Sequence, residues 1–277
     1  MVDTPFQVSD IDTTTFYVAK IISIQLKLIG KIITTVGIFC ILDSGLMQVY
    51  SQKTGRLQAL LLDEGILTEL RTAAVGALAA KLLAPKIETI GIVGSGVQAR
   101  FQLDMLTSVT DCRTVLVWGR TPSNVDTLVS EMSSKGWNIS AAESPDQLLQ
   151  CADVIITTTP SREAILGNSS LETRKSGLTI ICIGADAPGK HELNPALVAK
   201  ADLLVADTTA QSVERGEFQT AVADGLVTKD ALVPLGQLIQ QEDLHRKGVV
   251  VDDNRFIIFD SSGVALQDCV ISSLVIE

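Results

Sequence analysis

Histidine, aromatic residues and positive charge are all scarce in this chain. His191 and His245 are its only histidines among 277 residues, and aromatics make up 4%. Two histidines and no Cys-x-x-Cys pair leave a His/Cys zinc centre without a ligand set. Lys and Arg number 22 against 32 Asp and Glu, a net charge of −10. Holding a phosphate backbone or an anionic membrane surface takes clustered cations, so this balance speaks against nucleic-acid and membrane partners. The five cysteines (Cys40, Cys112, Cys151, Cys182 and Cys269) are odd in number and scattered. They read as buried, reduced thiols of a cytoplasmic protein. The opening MVDTPFQVSDIDTT lacks the basic start and apolar run of a signal peptide. A long clean hydrophobic run is missing too. Residues 18–42 are apolar, but Lys20, Lys27 and Lys31 interrupt them, and each Lys at mid-bilayer costs roughly 3 kcal/mol. This stretch reads as one or two buried strands with a turn near Gly30. Overall 46% of residues are hydrophobic, which excludes disorder and allows one large domain or two small ones.

What is present is a rhythm. Leu57 to Leu62 predicts a strand. Thr68 to Leu83 predicts a helix, with Thr68 as N-cap and Pro85 beyond its end. Strands are then predicted at Thr89 to Val93, Thr114 to Trp118, Trp137 to Ala141, Val154 to Thr158, Leu178 to Ile183 and Leu203 to Ala206. Helices are predicted between them at Val97 to Leu106, Ser123 to Ser134 and Pro145 to Gln150. Near the end come a strand, Phe256 to Phe259, and an apolar helix from Val264. Alternation of this kind implies an α/β fold with a doubly wound, Rossmann-type parallel sheet.

Gly94-Ser95-Gly96-Val97-Gln98-Ala99 matches G-x-G-x-x-A between a predicted strand and a predicted helix. Gly94 allows the tight turn, Gly96 lets the backbone approach a pyrophosphate, and Ala99 keeps the helix close to the strand. At the end of the second strand an acid would hold the ribose of NAD. Gly119-Arg120-Thr121 stands there instead, and an Arg with hydroxyl neighbours suits the 2′-phosphate of NADP.

Four stretches in order, LLLDEGILTELRTAAVGALAAKLLAPK, IGIVGSGVQARFQL, IGADAPGKHEL and FDSSGVALQD, resemble the ornithine cyclodeaminase/mu-crystallin family from about Ser44 onwards. The resemblance implies a homodimer of two-domain subunits. It assigns residues 85–247 to an NAD(P)-binding Rossmann domain. Residues 1–84 and 248–277 then form a discontinuous α+β dimerisation and substrate domain. About forty N-terminal residues of the family pattern, including a second substrate arginine, have no counterpart before Lys20.

The resemblance also implies roles. Arg71 matches a substrate-carboxylate arginine, and a planar guanidinium suits a carboxylate. Lys20 matches a strand lysine near that carboxylate. Ser44, Val97, Gln98, Thr158 and Thr159 match cofactor neighbours. Ile183, Gly184, Ala185 and Asp186 match the lining of the nicotinamide ribose and reacting centre. Lys190 matches a cofactor-contacting lysine, while Ser261 and Ser262 match a C-terminal pair at cofactor and substrate. Asp186 matches the cyclodeaminase aspartate that takes the substrate proton. The implied activity is hydride transfer at the α-carbon of a small amino acid with NAD or NADP, led by conversion of ornithine to proline and ammonia. NADPH-dependent reduction of a cyclic ketimine or imino acid is the alternative, which Gly119-Arg120 favours. A non-catalytic, crystallin-like NADPH-binding protein is the reading from another class.

Overall fold

The computed structural model describes residues 36–41, 44–84, 86–167, 177–240 and 254–276. Lys20, the turn expected near Gly30, and Pro85 lie outside the described residues. The chain divides into two compact units, residues 1–74 with 264–277 and residues 75–263.

In the first unit, β1 (Val36–Ile41), β2 (Ser44–Tyr50) and β3 (Leu57–Leu62) form an antiparallel sheet in that order. Met47 and Val49 on β2 alternate onto one face and are buried, as the two-residue period of a strand requires. The C-terminal helix Ala265–Ile276 buries Val270, Ile271 and Leu274, and its Ser272 Oγ donates to Met47 Sδ at 3.1 Å. Burying side chains of this size contributes about 1.5–3 kcal/mol each.

The helix expected from Thr68 begins earlier, at Ile66, and runs to Leu83. Thr68 is not its cap. The Asp63 Oδ2 accepts from Leu67 N at 2.9 Å, and Glu64 and Gly65 turn the chain with φ of 51° and 86°. An upstream carboxylate therefore does the capping.

In the second unit, eight described strands form one parallel sheet in the order β10-β9-β11-β8-β7-β4-β5-β6. They are β4 (Ile90–Val93), β5 (Thr114–Trp118), β6 (Asn138–Ala141), β7 (Val154–Thr157), β8 (Leu178–Cys182), β9 (Leu203–Ala206), β10 (Leu232–Pro234) and β11 (Phe256–Asp260). β4, β7, β8 and β11 are buried at every residue. Helices on both faces cover such strands, which is why they read as unbroken apolar runs. β11 pairs with β8 and β9. The chain thus returns to this sheet before its last helix, although the division at residue 248 grouped that strand with the other domain.

The strand order reverses at β4, which lies between β5 and β7. A crevice opens at the carboxyl ends of strands on either side of such a point, and ligands of doubly wound sheets bind there.

The thiols differ from the expectation of uniform burial. Cys182 and Cys269 are buried, Cys112 is half-buried and Cys151, at the end of a short surface helix, is exposed. No helix among the described residues is long and apolar enough to cross a membrane.

Candidate functional site

The turn after β4 sits at that reversal. Gly94 has φ 113°, a conformation that favours glycine. A Cβ there would lie 2.6 Å from Thr158 Oγ1, so the turn rests directly on the residue that follows β7. Gly94 N donates to Trp118 O at 2.8 Å, which ties the turn to β5 as well. The helix Val97–Leu106 starts at Gly96 with no side-chain cap and no acid in its first turn. A Cβ on Gly96 would meet nothing within 4 Å. Its N-terminal amides thus face open space at the positive end of the helix dipole, which suits an anion. Arg100 was not foreseen here. Its Nη1 donates to Ser95 O and Gly96 O at 2.8 and 3.0 Å, and its Nε pairs with Glu131 at 2.6 Å. Arg100 thereby satisfies two of the loop's carbonyls.

A cavity of about 580 Å³ lies over this turn, within the second unit. Gly94 and Gly96 line it, together with Gly119, Arg120 and Thr121 after β5 and Thr158 and Thr159 after β7. At Gly119 a Cβ would lie 2.9 Å from Val125 Cγ2, so steric crowding keeps an acid out of the strand end. Arg120 and Thr121 are exposed. Val97 is exposed and Gln98 half-buried at the helix start. The open amide end, the glycine turn and a cavity of this size match what a dinucleotide requires.

Ile183 and Ala185 are buried after β8, with Gly184 half-buried between them. The Asp186 side chain is 56% exposed and its Oδ1 lies 2.7 Å from Lys190 Nζ. Its other oxygen has no partner among the described residues.

Beneath the strand ends lie four carboxyls that motif reading missed. Glu192 is fully buried and accepts from Thr157 Oγ1, Thr159 N, Thr159 Oγ1 and Gly184 N at 2.6, 2.7, 2.7 and 3.1 Å. Burial pushes its carboxyl up to about 7, against the pull of those four donors. Glu217 accepts from the backbone N–H groups of Glu192 and Leu193, and burial, then Glu192, raises it well above the carboxylate range. Asp260 accepts from Ser212 Oγ, and burial raises it to about 8. Asp207 accepts from Gly263 N at 2.8 Å and from the Ser261 and Ser262 hydroxyls at 3.3 and 3.4 Å. Those serines, matched to cofactor and substrate in the sequence, are buried and bound to this acid.

In the first unit, Arg71 is held by the C-terminal helix. Its Nε lies 3.0 Å from Asp268 Oδ1 and its Nη1 donates to Gln267 Oε1 at 2.9 Å. Burial raises the Asp268 carboxyl, opposed by the Arg71 charge. Nη2 has no partner among the described residues. Ser44 is half-buried at the start of β2.

Comparison with known proteins gives consistent matches. The model of the ornithine cyclodeaminase/mu-crystallin family matches residues 44–277. An uncharacterized cyclodeaminase of Sinorhizobium fredii is 35% identical over 278 residues, covering 99% of this chain and 82% of that one. The iminosuccinate reductase of Paracoccus denitrificans, solved in complex with NAD⁺, is 36% identical with a TM-score of 0.75, covering 84% of this chain and 69% of that one. An archaeal alanine dehydrogenase dimer with bound NAD is 26% identical with a TM-score of 0.75, covering 95% and 90%.

Proposed function

This chain belongs to the ornithine cyclodeaminase/mu-crystallin family, and from that premise we propose that it binds NAD or NADP at the glycine turn and acts on the α-carbon of a small amino acid. The observation that carries the reading is the uncapped N-terminus of helix Val97–Leu106, set at the strand-order reversal and opening into the cavity. The NAD⁺ of the Paracoccus reductase and the NAD of the archaeal dehydrogenase support it. The nicotinamide, when bound, supplies or accepts the hydride.

The chain's own groups do the rest. The amides of Gly96, Val97 and Gln98 hold the pyrophosphate charge. Arg120 and Thr121 offer donors to a 2′-phosphate where Gly119 leaves no room for an acid. Arg71 grips the substrate carboxylate through Nη2, its fork aligned by Asp268 and Gln267. Lys20, outside the described residues, is assigned the second contact with that carboxylate.

Asp186 accepts a proton from the substrate ammonium as the α-carbon becomes an imine carbon, then orients the side-chain amine for ring closure. Lys190 holds one Asp186 oxygen, leaving the other for the substrate. These roles support an ornithine-type cyclodeamination, which releases ammonia with no net change in cofactor. A second reading is reduction of a cyclic imine or imino acid: the 36% identity to a reductase supports reduction, and Arg120 in the cavity lining favours NADPH as its cofactor.

The test uses purified chain with ornithine and catalytic NAD⁺, and separately with a cyclic imine and NADPH. Ammonia without accumulating NADH supports cyclodeamination. Loss of NADPH absorbance supports reduction. Cofactor binding with neither turnover makes the chain a non-catalytic NADPH-binding protein. A homodimer is proposed as well, after the archaeal dehydrogenase dimer; light scattering at the mass of one chain would refute it.

A further inference from the structure

Glu192 does more than fill a polar hole. Its two carboxylate oxygens each receive one backbone N–H, Thr159 N at one and Gly184 N at the other, plus one threonine hydroxyl apiece. Its own carbonyl accepts from Ile165 N and Leu166 N at 2.7 and 3.0 Å. One residue therefore fastens the end of β7, the end of β8 and the return of the loop between them. Thr158, Thr159 and Ile165 line the cavity. The glycine turn rests on the same segment through Gly94. The two strand ends meet so closely over the carboxylate that a Cβ on Gly184 would lie 2.1 Å from Thr159 O and 2.5 Å from Glu192 Oε2.

We infer that Glu192 is a positioning residue for the nucleotide cavity, and that it holds the cavity wall firmly only as a carboxylate, with both oxygens accepting charge-assisted bonds. The inference rests on the cavity's being the dinucleotide site proposed above. A hydroxyl partner can rotate and accept when it must, but a backbone N–H cannot. Glutamine replaces one oxygen with an NH2 that cannot accept and so releases either Thr159 N–H or Gly184 N–H, while a protonated Glu192 gives its O–H to a threonine hydroxyl and holds the backbone N–H groups through weaker, neutral bonds. The strand end that loses its anchor carries the cavity wall with it.

His191, half-buried, stands beside Glu192 in the chain, and the groups that share the buried cluster with this carboxylate are acids and a thiol. Glu217 faces it from between helices Thr209–Arg215 and Gln219–Ala223, Asp260 from the end of β11, and Cys182 from β8. Burial opposes ionisation of Glu192, and burial first, then the neighbouring acids, oppose it in Glu217 and Cys182. The transition that an experiment reads thus belongs to the group rather than to Glu192 alone. As pH falls through about 7 the wall loosens, and nucleotide affinity falls with it.

The experiment titrates the full chain with NADH and with NADPH from pH 5.5 to 8.5, read by quenching of tryptophan emission, since Trp118 lines the cavity. The Kd of the tighter ligand is expected to rise about tenfold between pH 8 and pH 6, the loss of one charge-assisted hydrogen bond. Glu192→Gln binds about tenfold more weakly at pH 8, with little pH dependence left. Thr157→Val is the second variant. It removes one hydroxyl that donates to Glu192 and keeps the shape of the buried side chain, so it raises the carboxyl and moves the midpoint to higher pH. The shift between wild type and Thr157→Val cancels any titration of the ligand itself. A purely packing role would lower thermal stability and leave the midpoint alone. The proposal is overturned if Thr157→Val keeps the wild-type midpoint, or if a folded Glu192→Gln keeps wild-type affinity and pH dependence. A wild type that binds neither ligand overturns the nucleotide reading and this inference together. Tight binding with a flat pH profile overturns this inference alone.

Discussion

A side chain at position 94 meets two obstacles. The backbone there has φ 113°, and a Cβ would lie 2.6 Å from Thr158 Oγ1. Either the turn or the strand end must move. Gly94→Ala is expected to cost about 1–3 kcal/mol of stability and to weaken nucleotide binding by at least about tenfold; calorimetric titration checks it. Unchanged affinity would mean that the turn does not touch the ligand. Asp186 has the opposite character. It is exposed and, among the described residues, tied to Lys190, so Asp186→Asn leaves the fold intact. Ornithine turnover should fall by about a hundredfold or more, the usual worth of a placed proton acceptor. Survival of that activity would remove Asp186 from the chemistry.

At the scale of elements, local chemistry decides where a segment starts. Asp63 is buried and its Oδ2 caps helix Ile66–Leu83. Asp63→Ala should cost about 1 kcal/mol, seen as a fall in melting temperature of roughly 2–4 °C. No shift would show that Glu64-Gly65 starts the helix unaided. This helix also shows what was legible in the sequence. Its apolar, Ala-rich body was plain, but Thr68 drew the cap assignment because the positive-φ turn at Glu64 and Gly65 has no periodicity to betray it. β4, β7 and β8 were readable because strands covered on both faces are apolar throughout. The glycine turn was readable because its steric demand falls on adjacent residues. Glu192 was not. Its partners Thr157, Thr159 and Glu217 lie 35, 33 and 25 positions away, and in KHEL it reads as one more solvated acid. The bonds from Ser261 and Ser262 to Asp207 were hidden for the same reason, since they span 54 and 55 positions.

The acidic balance of the whole molecule acquires a different meaning once its acids are sorted by burial. Among the described acids, Glu64, Glu88, Asp111, Glu214 and others are exposed, but Glu192, Glu217 and Asp260 are fully buried. Burial holds Asp260 at about 8 and Glu192 at about 7, against ordinary values of 3.8 and 4.5. Between those limits the folded chain binds more protons than the unfolded one, so the stability they contribute is present near pH 4 and is lost as pH rises towards 8. The expected result is a melting temperature lower at pH 8.5 than at pH 5.5 by at least about 3 °C, equivalent to about 1 kcal/mol for a chain of this size. Asp260→Asn cannot ionise and should flatten part of that slope, whereas surface charge repulsion would persist in the variant. A melting temperature that stays level or rises across this range, or an equal slope in Asp260→Asn, would show that the cluster does not govern stability. The direction is opposite to that expected for nucleotide affinity, which gains as Glu192 ionises. The same buried charge that destabilises the sheet's core fastens the strand ends around the cavity. Bound nucleotide stabilises the folded state by mass action, so the fall in melting temperature towards pH 8.5 should shrink when saturating cofactor is present.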